Sequence, residues 1–125
     1  MEPILIDTSV IIGLMRMHDN ALKLAERVKG RPKAITDSVI GEILAGARDK
    51  REFFLLLRHL QDNFIWLPAT ERTSAIFRDI LIKYGSNKVV HLVDHMIAAA
   101  AITFEMPLLT LNKKHVTYIE GLEFA

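Results

Sequence analysis

The stretch that most constrains the fold is residues 3–9, which read Pro-Ile-Leu-Ile-Asp-Thr-Ser. A short apolar run that ends in Asp-Thr-Ser and precedes a second apolar run predicts a buried strand, a tight turn and a helix. The strand ends at Asp7. Because ligands of open α/β sheets bind outside the carboxyl ends of the strands, Asp7 is well placed for chemistry. Asp, Thr and Ser are also good helix N-caps, so a purely capping role for one of them stays open.

The same strand-to-helix step recurs along the chain. Further strands are predicted at residues 33–36, 64–67 and 107–110, and residues 118–124 are a candidate edge strand. Helices are predicted at residues 10–15, 21–28, 39–47, 50–60, 70–84 and 89–104, with Asp37 or Ser38 capping the third. Alternating strands and helices predict an α/β fold with a largely parallel sheet covered by helices on both faces.

Two glycines, Gly41 and Gly46, lie within the third predicted helix. Glycine inside a helix costs about 1 kcal/mol relative to alanine, so a physical reason for each is expected. A close approach of another backbone is one such reason.

Length and composition limit the class of protein. The 125 residues fit one domain over residues 1–125. The sequence has no cysteines and no basic leader, which predicts a cytoplasmic protein. It also has no apolar run of membrane-spanning length, so we expect that it does not enter a membrane. The net charge is only +1, so any binding of nucleic acid must depend on local basic patches such as Lys113 and Lys114.

Asp94 is the most informative single residue, because its predicted helix is apolar on nearly every side. A lone buried carboxylate is costly unless it is protonated, paired or bound to a cation. Stabilisation by the helix dipole in the first turn is the alternative explanation.

Glu42 lies on the flank of an apolar helical stripe, where a solvated glutamate is the default and where small neighbours leave room for a ligand. A parallel sheet would gather Asp7, Glu42 and Asp94 at one edge. Three convergent carboxylates suit a hard divalent cation, either Mg²⁺ or Mn²⁺.

Four segments, taken in order, resemble the successive motifs of PIN-domain ribonucleases, and most closely the VapC toxins of prokaryotic toxin–antitoxin pairs. They are residues 6–10, Thr36 with residues 42–46, residues 93–99 and residues 108–115. The resemblance covers essentially the whole chain. It implies a three-layer α/β/α sandwich around a central, mainly parallel sheet. It also implies Mg²⁺-dependent cleavage of RNA, a homodimer and inhibition by a cognate antitoxin.

Carried over by position, Asp7, Glu42 and Asp94 match the family's acidic metal ligands. Asn112 falls where many members place a fourth acid, so the number and affinity of bound ions stay open. Thr110 matches the hydroxyl residue that ends the fourth strand, although Thr110 to Asn112 also fits a simple turn. Next to this position, Lys113 and Lys114 are candidate contacts for RNA phosphates.

Two other enzyme classes are compatible with part of the pattern. His91 and His95 lie four residues apart and suggest a transition-metal site, but no HExxH motif is present. Surface or hydrogen-bonded histidines near a dimer contact are the favoured explanation. Asp7 as the nucleophile of a phosphoryl-transfer enzyme is the second class, but Ser9 replaces the second Asp of the haloacid dehalogenase pattern.

A third reading has no catalysis. The chain would then be a catalytically weak or inactive PIN-like module that binds RNA or docks a protein through Phe53, Phe54 and Leu57. No motif identifies the RNA, its cleavage position or the antitoxin.

Overall fold

The computed structural model describes residues 2–86 and 91–125. Within those residues the elements, in chain order, are β1 Ile4–Ile6, α1 Thr8–Met15, α2 Asp19–Arg27, β2 Lys33–Thr36, α3 Asp37–Ala45, α4 Lys50–Asn63, β3 Ile65–Leu67, α5 Glu71–Tyr84, α6 Leu92–Thr103, β4 Leu108–Leu109 and a 3-10 helix, Lys113–His115.

The sheet has the strand order β3-β2-β1-β4, and every pairing in it is parallel. Leu5 of β1 pairs with Ala34 on one side and with Leu108 on the other. Helices flank this sheet, so the predicted α/β/α arrangement is confirmed. β1 is interior and fully buried, which explains why its sequence is continuously apolar.

Helix α6 has more buried residues than any other helix of the described residues. Its buried stretch runs from Ile97 to Ala101 and it packs against α5 and α3. The sequence predicted a start at residue 89, but residues 89 and 90 lie outside the described part of the chain. The helix begins at Leu92, which places Asp94 in its first turn.

The predicted N-cap of α3 and the predicted edge strand were both wrong. The N-cap of α3 is Thr36, whose hydroxyl accepts a hydrogen bond from the Val39 amide (3.4 Å), because Thr36 is extended whereas Asp37 is already helical. The tail forms only one parallel bridge, between Leu108 and Phe124, in place of an edge strand. Turns precede this bridge, and Gly121 has a positive φ of 86°, which interrupts extended backbone.

The glycines differ in what surrounds them. No atom lies within 4 Å of the position that a Cβ of Gly41 would occupy, so the expected close approach is absent there, and Gly46 is the C-cap of α3. The close approach is instead at Gly13 in α1. A Cβ at that position would lie 2.7 Å from the Cβ of Ala21 in α2.

The variants Gly13→Ala and Gly41→Ala are expected to change stability in opposite directions. Overpacking against Ala21 should cost about 1–3 kcal/mol and exceed the gain in helix propensity. At Gly41 nothing opposes that gain, which is about 1 kcal/mol. Urea unfolding measures both. A Gly13→Ala protein as stable as Gly41→Ala would contradict the packing of α1 on α2.

Candidate active site

Asp7 lies at the carboxyl end of β1 and is only 3% exposed. Its backbone is extended (φ −77°, ψ 152°), and its carboxylate caps α1 by accepting a hydrogen bond from the Ser9 amide at 3.4 Å. Asp7 therefore does cap a helix, as the alternative interpretation of the sequence expected. The Asp7 carboxylate also lies at the carboxyl edge of the sheet, where other polar side chains form hydrogen bonds with it.

Two hydroxyl groups hold the Asp7 carboxylate. Ser9 Oγ donates to Oδ2 at 2.5 Å, and Thr110 Oγ1, just after β4, donates to the same oxygen at 2.8 Å. Each hydroxyl oxygen also accepts a hydrogen bond from a backbone amide. Ser9 accepts from Leu111 (3.0 Å) and Thr110 accepts from Asn112 (2.9 Å). A hydroxyl can donate and accept at once, so both are satisfied.

These bonds offset the cost of burying the Asp7 charge. Among the described residues no donor reaches the second oxygen, Oδ1. That oxygen is therefore available to a ligand.

Asp94 and Asp7 line the same narrow cavity. The other residues that line it are the polar Thr110 and Asn112 and the apolar Ile97, Leu108 and Val116. Four of the polar residues singled out in the sequence thus come together from β1, α6 and the loop after β4.

Glu42 is placed differently. It is exposed on α3, and its Oε1 accepts a hydrogen bond of 2.6 Å from the hydroxyl of Thr8, the buried residue that follows Asp7. Glu42 lines a neighbouring cavity together with Arg16 and Arg48. Its carboxylate is therefore tied to the Asp7 region through Thr8, outside the cavity that Asp7 and Asp94 share.

The two candidate RNA-contacting lysines, Lys113 and Lys114, are exposed on the 3-10 helix directly after Asn112. The ammonium nitrogen of Lys113 lies 4.6 Å from the centroid of the Phe124 ring, a cation–π distance. This contact holds Lys113 against the end of the chain, whereas Lys114 has no comparable contact among the described residues.

His115 is a residue that sequence reasoning missed. Its Nδ1 lies 3.0 Å from Asp94 Oδ2, and its ring stacks on the ring of His91 with centroids 3.9 Å apart and planes 3° from parallel. No local signal marks this contact, because His115 follows Asp94 by 21 residues and reaches it only through the fold.

His95 lies in the core and is fully buried, so it does not share a site with His91. Its Nε2 is hydrogen-bonded to the hydroxyl of Tyr118, as the alternative of a hydrogen-bonded histidine predicted. Burial lowers the pKa of His95, against a smaller opposing effect of Asp94, and raises the pKa of Tyr118. Both groups are therefore neutral around pH 7 and have a structural role.

Comparison with known proteins agrees with this architecture. The family model described as "PIN domain" matches residues 4–118. A protein named Ribonuclease VapC19, from Mycobacterium tuberculosis, is 30% identical over 122 residues, which are 95% of this chain and 96% of that protein.

Solved structures are similar in fold. VapBC2 from Rickettsia felis, bound to a DNA fragment from their promoter, has a TM-score of 0.82 at 18% identity, covering 98% of this chain and 97% of that one. A toxin-antitoxin complex from Klebsiella pneumoniae has a TM-score of 0.77 at 22% identity, covering 95% and 94%. None of the helices in residues 2–86 and 91–125 has the length and apolar character needed to span a bilayer.

Replacing Ser9 by alanine is expected to destabilise the protein by about 1–3 kcal/mol, because the Leu111 amide and the Asp7 carboxylate each lose a partner. Ser74→Ala, at an exposed position on α5, is the matched control and should change stability by less than about 0.5 kcal/mol. Urea unfolding and hydrogen exchange at the Leu111 amide measure the effect. Equal stability of the two variants would contradict the bridging role of the Ser9 hydroxyl.

Proposed function

The chain belongs to the PIN domain family, and on this premise we propose that residues 1–125 act as one metal-dependent endoribonuclease domain. The domain would hydrolyse RNA phosphodiester bonds as the toxin of a toxin–antitoxin pair. The observation that carries the proposal is that Asp7 and Asp94, which come from separate elements, line one narrow cavity at the carboxyl edge of a parallel sheet. The ribonuclease name of the Mycobacterium tuberculosis relative supports it.

The polar side chains of the cavity carry oxygen donors, which fit a hard cation. The cavity has carboxylate, hydroxyl and amide oxygens, which belong to Asp7, Asp94, Thr110 and Asn112. Among the described residues, no hydrogen-bond donor occupies Oδ1 of Asp7. Oxygen ligands suit Mg²⁺, and Mn²⁺ is the close alternative. Such an ion, when bound, polarises the phosphodiester and lowers the pKa of its water.

The chain's own residues then have distinct tasks. Ser9 and Thr110 orient the Asp7 carboxylate, and Thr8 orients Glu42, which we propose as the third acidic ligand. Asn112 contributes a neutral oxygen. The proposed site therefore has three carboxylates, one fewer than it would have with an acid at position 112. A less negative site repels the RNA backbone less but also attracts cations less strongly.

RNA binding is assigned to the cations beside the site. Lys113 and Lys114 follow Asn112 directly and are exposed. The ammonium group of Lys114, and that of Lys113 once it leaves the Phe124 ring, can contact phosphates of a strand that lies beside the cavity. Phosphate contacts position the strand but carry no sequence information. The choice of RNA must therefore come from other contacts.

Asp7→Asn and Asp94→Asn are each expected to reduce Mg²⁺-dependent RNA cleavage by about 100-fold or more, because the ion contributes several kcal/mol of charge stabilisation. Asp62→Asn is the matched control, since Asp62 is exposed on α4 and, among the described residues, forms an ion pair with Arg58 alone (3.7 Å). Total RNA is incubated with each protein, with and without Mg²⁺, and the new ends are mapped.

Circular dichroism checks that the variants fold. Full cleavage by either site variant would overturn the metal-site assignment. RNA binding without cutting by the unmodified protein would instead support the non-catalytic module, and a trapped phosphoaspartate on Asp7 would support phosphoryl transfer.

Exposed apolar side chains indicate where the chain meets partners. Phe54 and Leu55 on α4 are 53% and 60% exposed, and Ile65 and Trp66 on the edge strand β3 are 47% and 38% exposed. Contiguous exposed apolar patches mark interaction sites, and α4 leads directly into β3 through Phe64. Similar folds occur in toxin–antitoxin complexes, so we propose that this chain forms a homodimer and binds an antitoxin protein.

Gel filtration with light scattering measures both assemblies. The purified chain is expected to elute as a dimer, and co-expression with the product of the neighbouring gene should give a mixed complex that no longer cuts RNA. A chain that stays monomeric at micromolar concentration would contradict the homodimer. An active nuclease that forms no mixed complex would contradict the pairing with that product.

A further inference from the structure

Asp94 also belongs to a second cluster of ligand-type side chains, whose two histidines the proposed nuclease chemistry does not use. We propose that His91, Asp94 and His115 form a binding site for a transition-metal ion of the Zn²⁺ type, and that its occupation inhibits RNA cleavage. The binding site is inferred from the geometry alone, whereas the inhibitory effect rests on the proposed function.

The distances between the ligand atoms of His91, Asp94 and His115 support the site. One ligand atom from each of the three residues lies within 4.8 Å of the other two, and the His115 Nδ1 to Asp94 Oδ2 distance is 3.0 Å. A tetrahedral zinc ion with bonds of about 2.0–2.1 Å separates its ligand atoms by about 3.3 Å. Side-chain shifts of about 1.5 Å or less therefore bring the three ligand atoms to the separations that a zinc ion needs.

The fold holds these residues together at an accessible place. His91 immediately precedes α6 and Asp94 is in its first turn, three residues later, which puts them on one side of the helix end. His115 reaches them from the 3-10 helix. The side chains of Asp94 and His115 are 20% and 26% exposed, so an ion can enter and a water can complete four-coordination.

The donor set selects a different ion from the one proposed for the main cavity. Two imidazoles with one carboxylate are typical ligands of zinc, whereas Mg²⁺ prefers oxygen throughout. The two sites therefore differ in chemistry, although they share the Asp94 carboxylate.

Sharing Asp94 explains why the second ion would inhibit. Bonds from imidazole to metal lie in the ring plane, so the parallel rings of His91 and His115 must tilt apart to converge on one ion. The ion then replaces the hydrogen bond between His115 and Asp94. A carboxylate held by this ion is drawn towards the histidines and is a poorer ligand for the cavity that it shares with Asp7.

Calorimetric titration with ZnCl₂ in the absence of other divalent ions tests the site. The unmodified protein is expected to bind one equivalent, and His91→Ala should bind at least about tenfold more weakly. His115→Asn is a second variant in case His91→Ala does not fold. His59→Ala is the matched control, because His59 is exposed on α4 and contacts only Asn63 and Phe64 among the described residues. Equal affinity of the unmodified protein and His91→Ala would overturn the site.

Cleavage of RNA in excess Mg²⁺, with and without added ZnCl₂, tests the inhibition. Zinc is expected to slow the unmodified protein and His59→Ala at least about tenfold, and to slow His91→Ala less. Zinc binding that leaves the cleavage rate unchanged, or raises it, would overturn the inhibitory role. If the protein cuts no RNA, the proposed function fails while the titration still decides the metal site. If it cuts RNA but binds no zinc, this inference fails and the proposed function stands.

Discussion

The buried carboxylate of Asp7 is the interaction on which the rest of the site depends. An isolated charge at 3% exposure would be strongly destabilising, yet this one accepts bonds from Ser9 and Thr110. Those hydroxyl oxygens in turn accept hydrogen bonds from the backbone amides of Leu111 and Asn112. The end of β1 and the loop after β4 are thus joined through one oxygen atom. Because this loop also carries Asn112 into the cavity, the bonds that compensate the charge also assemble the site.

Helix α6 has a comparable double role. Its apolar side chains fill the core, and its first turn, which is less buried, presents Asp94 to the same cavity. The two neighbouring titratable residues of this helix, Asp94 and His95, differ in how deeply they are buried. His95 is fully enclosed and neutral against Tyr118, whereas Asp94 keeps contact with solvent and with His115. One turn of helix therefore provides both a packing residue and a candidate ligand.

Much of the architecture was predictable because its signals are local. A strand that is covered on both faces must be apolar throughout, and β1 is recognisable for this reason. Boundaries and caps were less predictable. Thr36 and Asp37 can both cap a helix, and only the backbone conformation at residue 36 decides between them. The absence of an edge strand after residue 118 also depends on turns that the apolar pattern does not reveal.

The sequence by itself determined the α/β class, the parallel sheet and the placement of Asp7 at a strand end, because these follow from periodicity and from residue types next to one another. Only the tertiary structure decided which distant side chains meet. It placed Glu42 against Thr8, His115 against Asp94 and His91, and His95 in the core. Such contacts join residues far apart in the chain, and their geometry depends on how helices pack on the sheet. Helical spacing alone relates His91 to His95, whereas packing pairs His91 with His115.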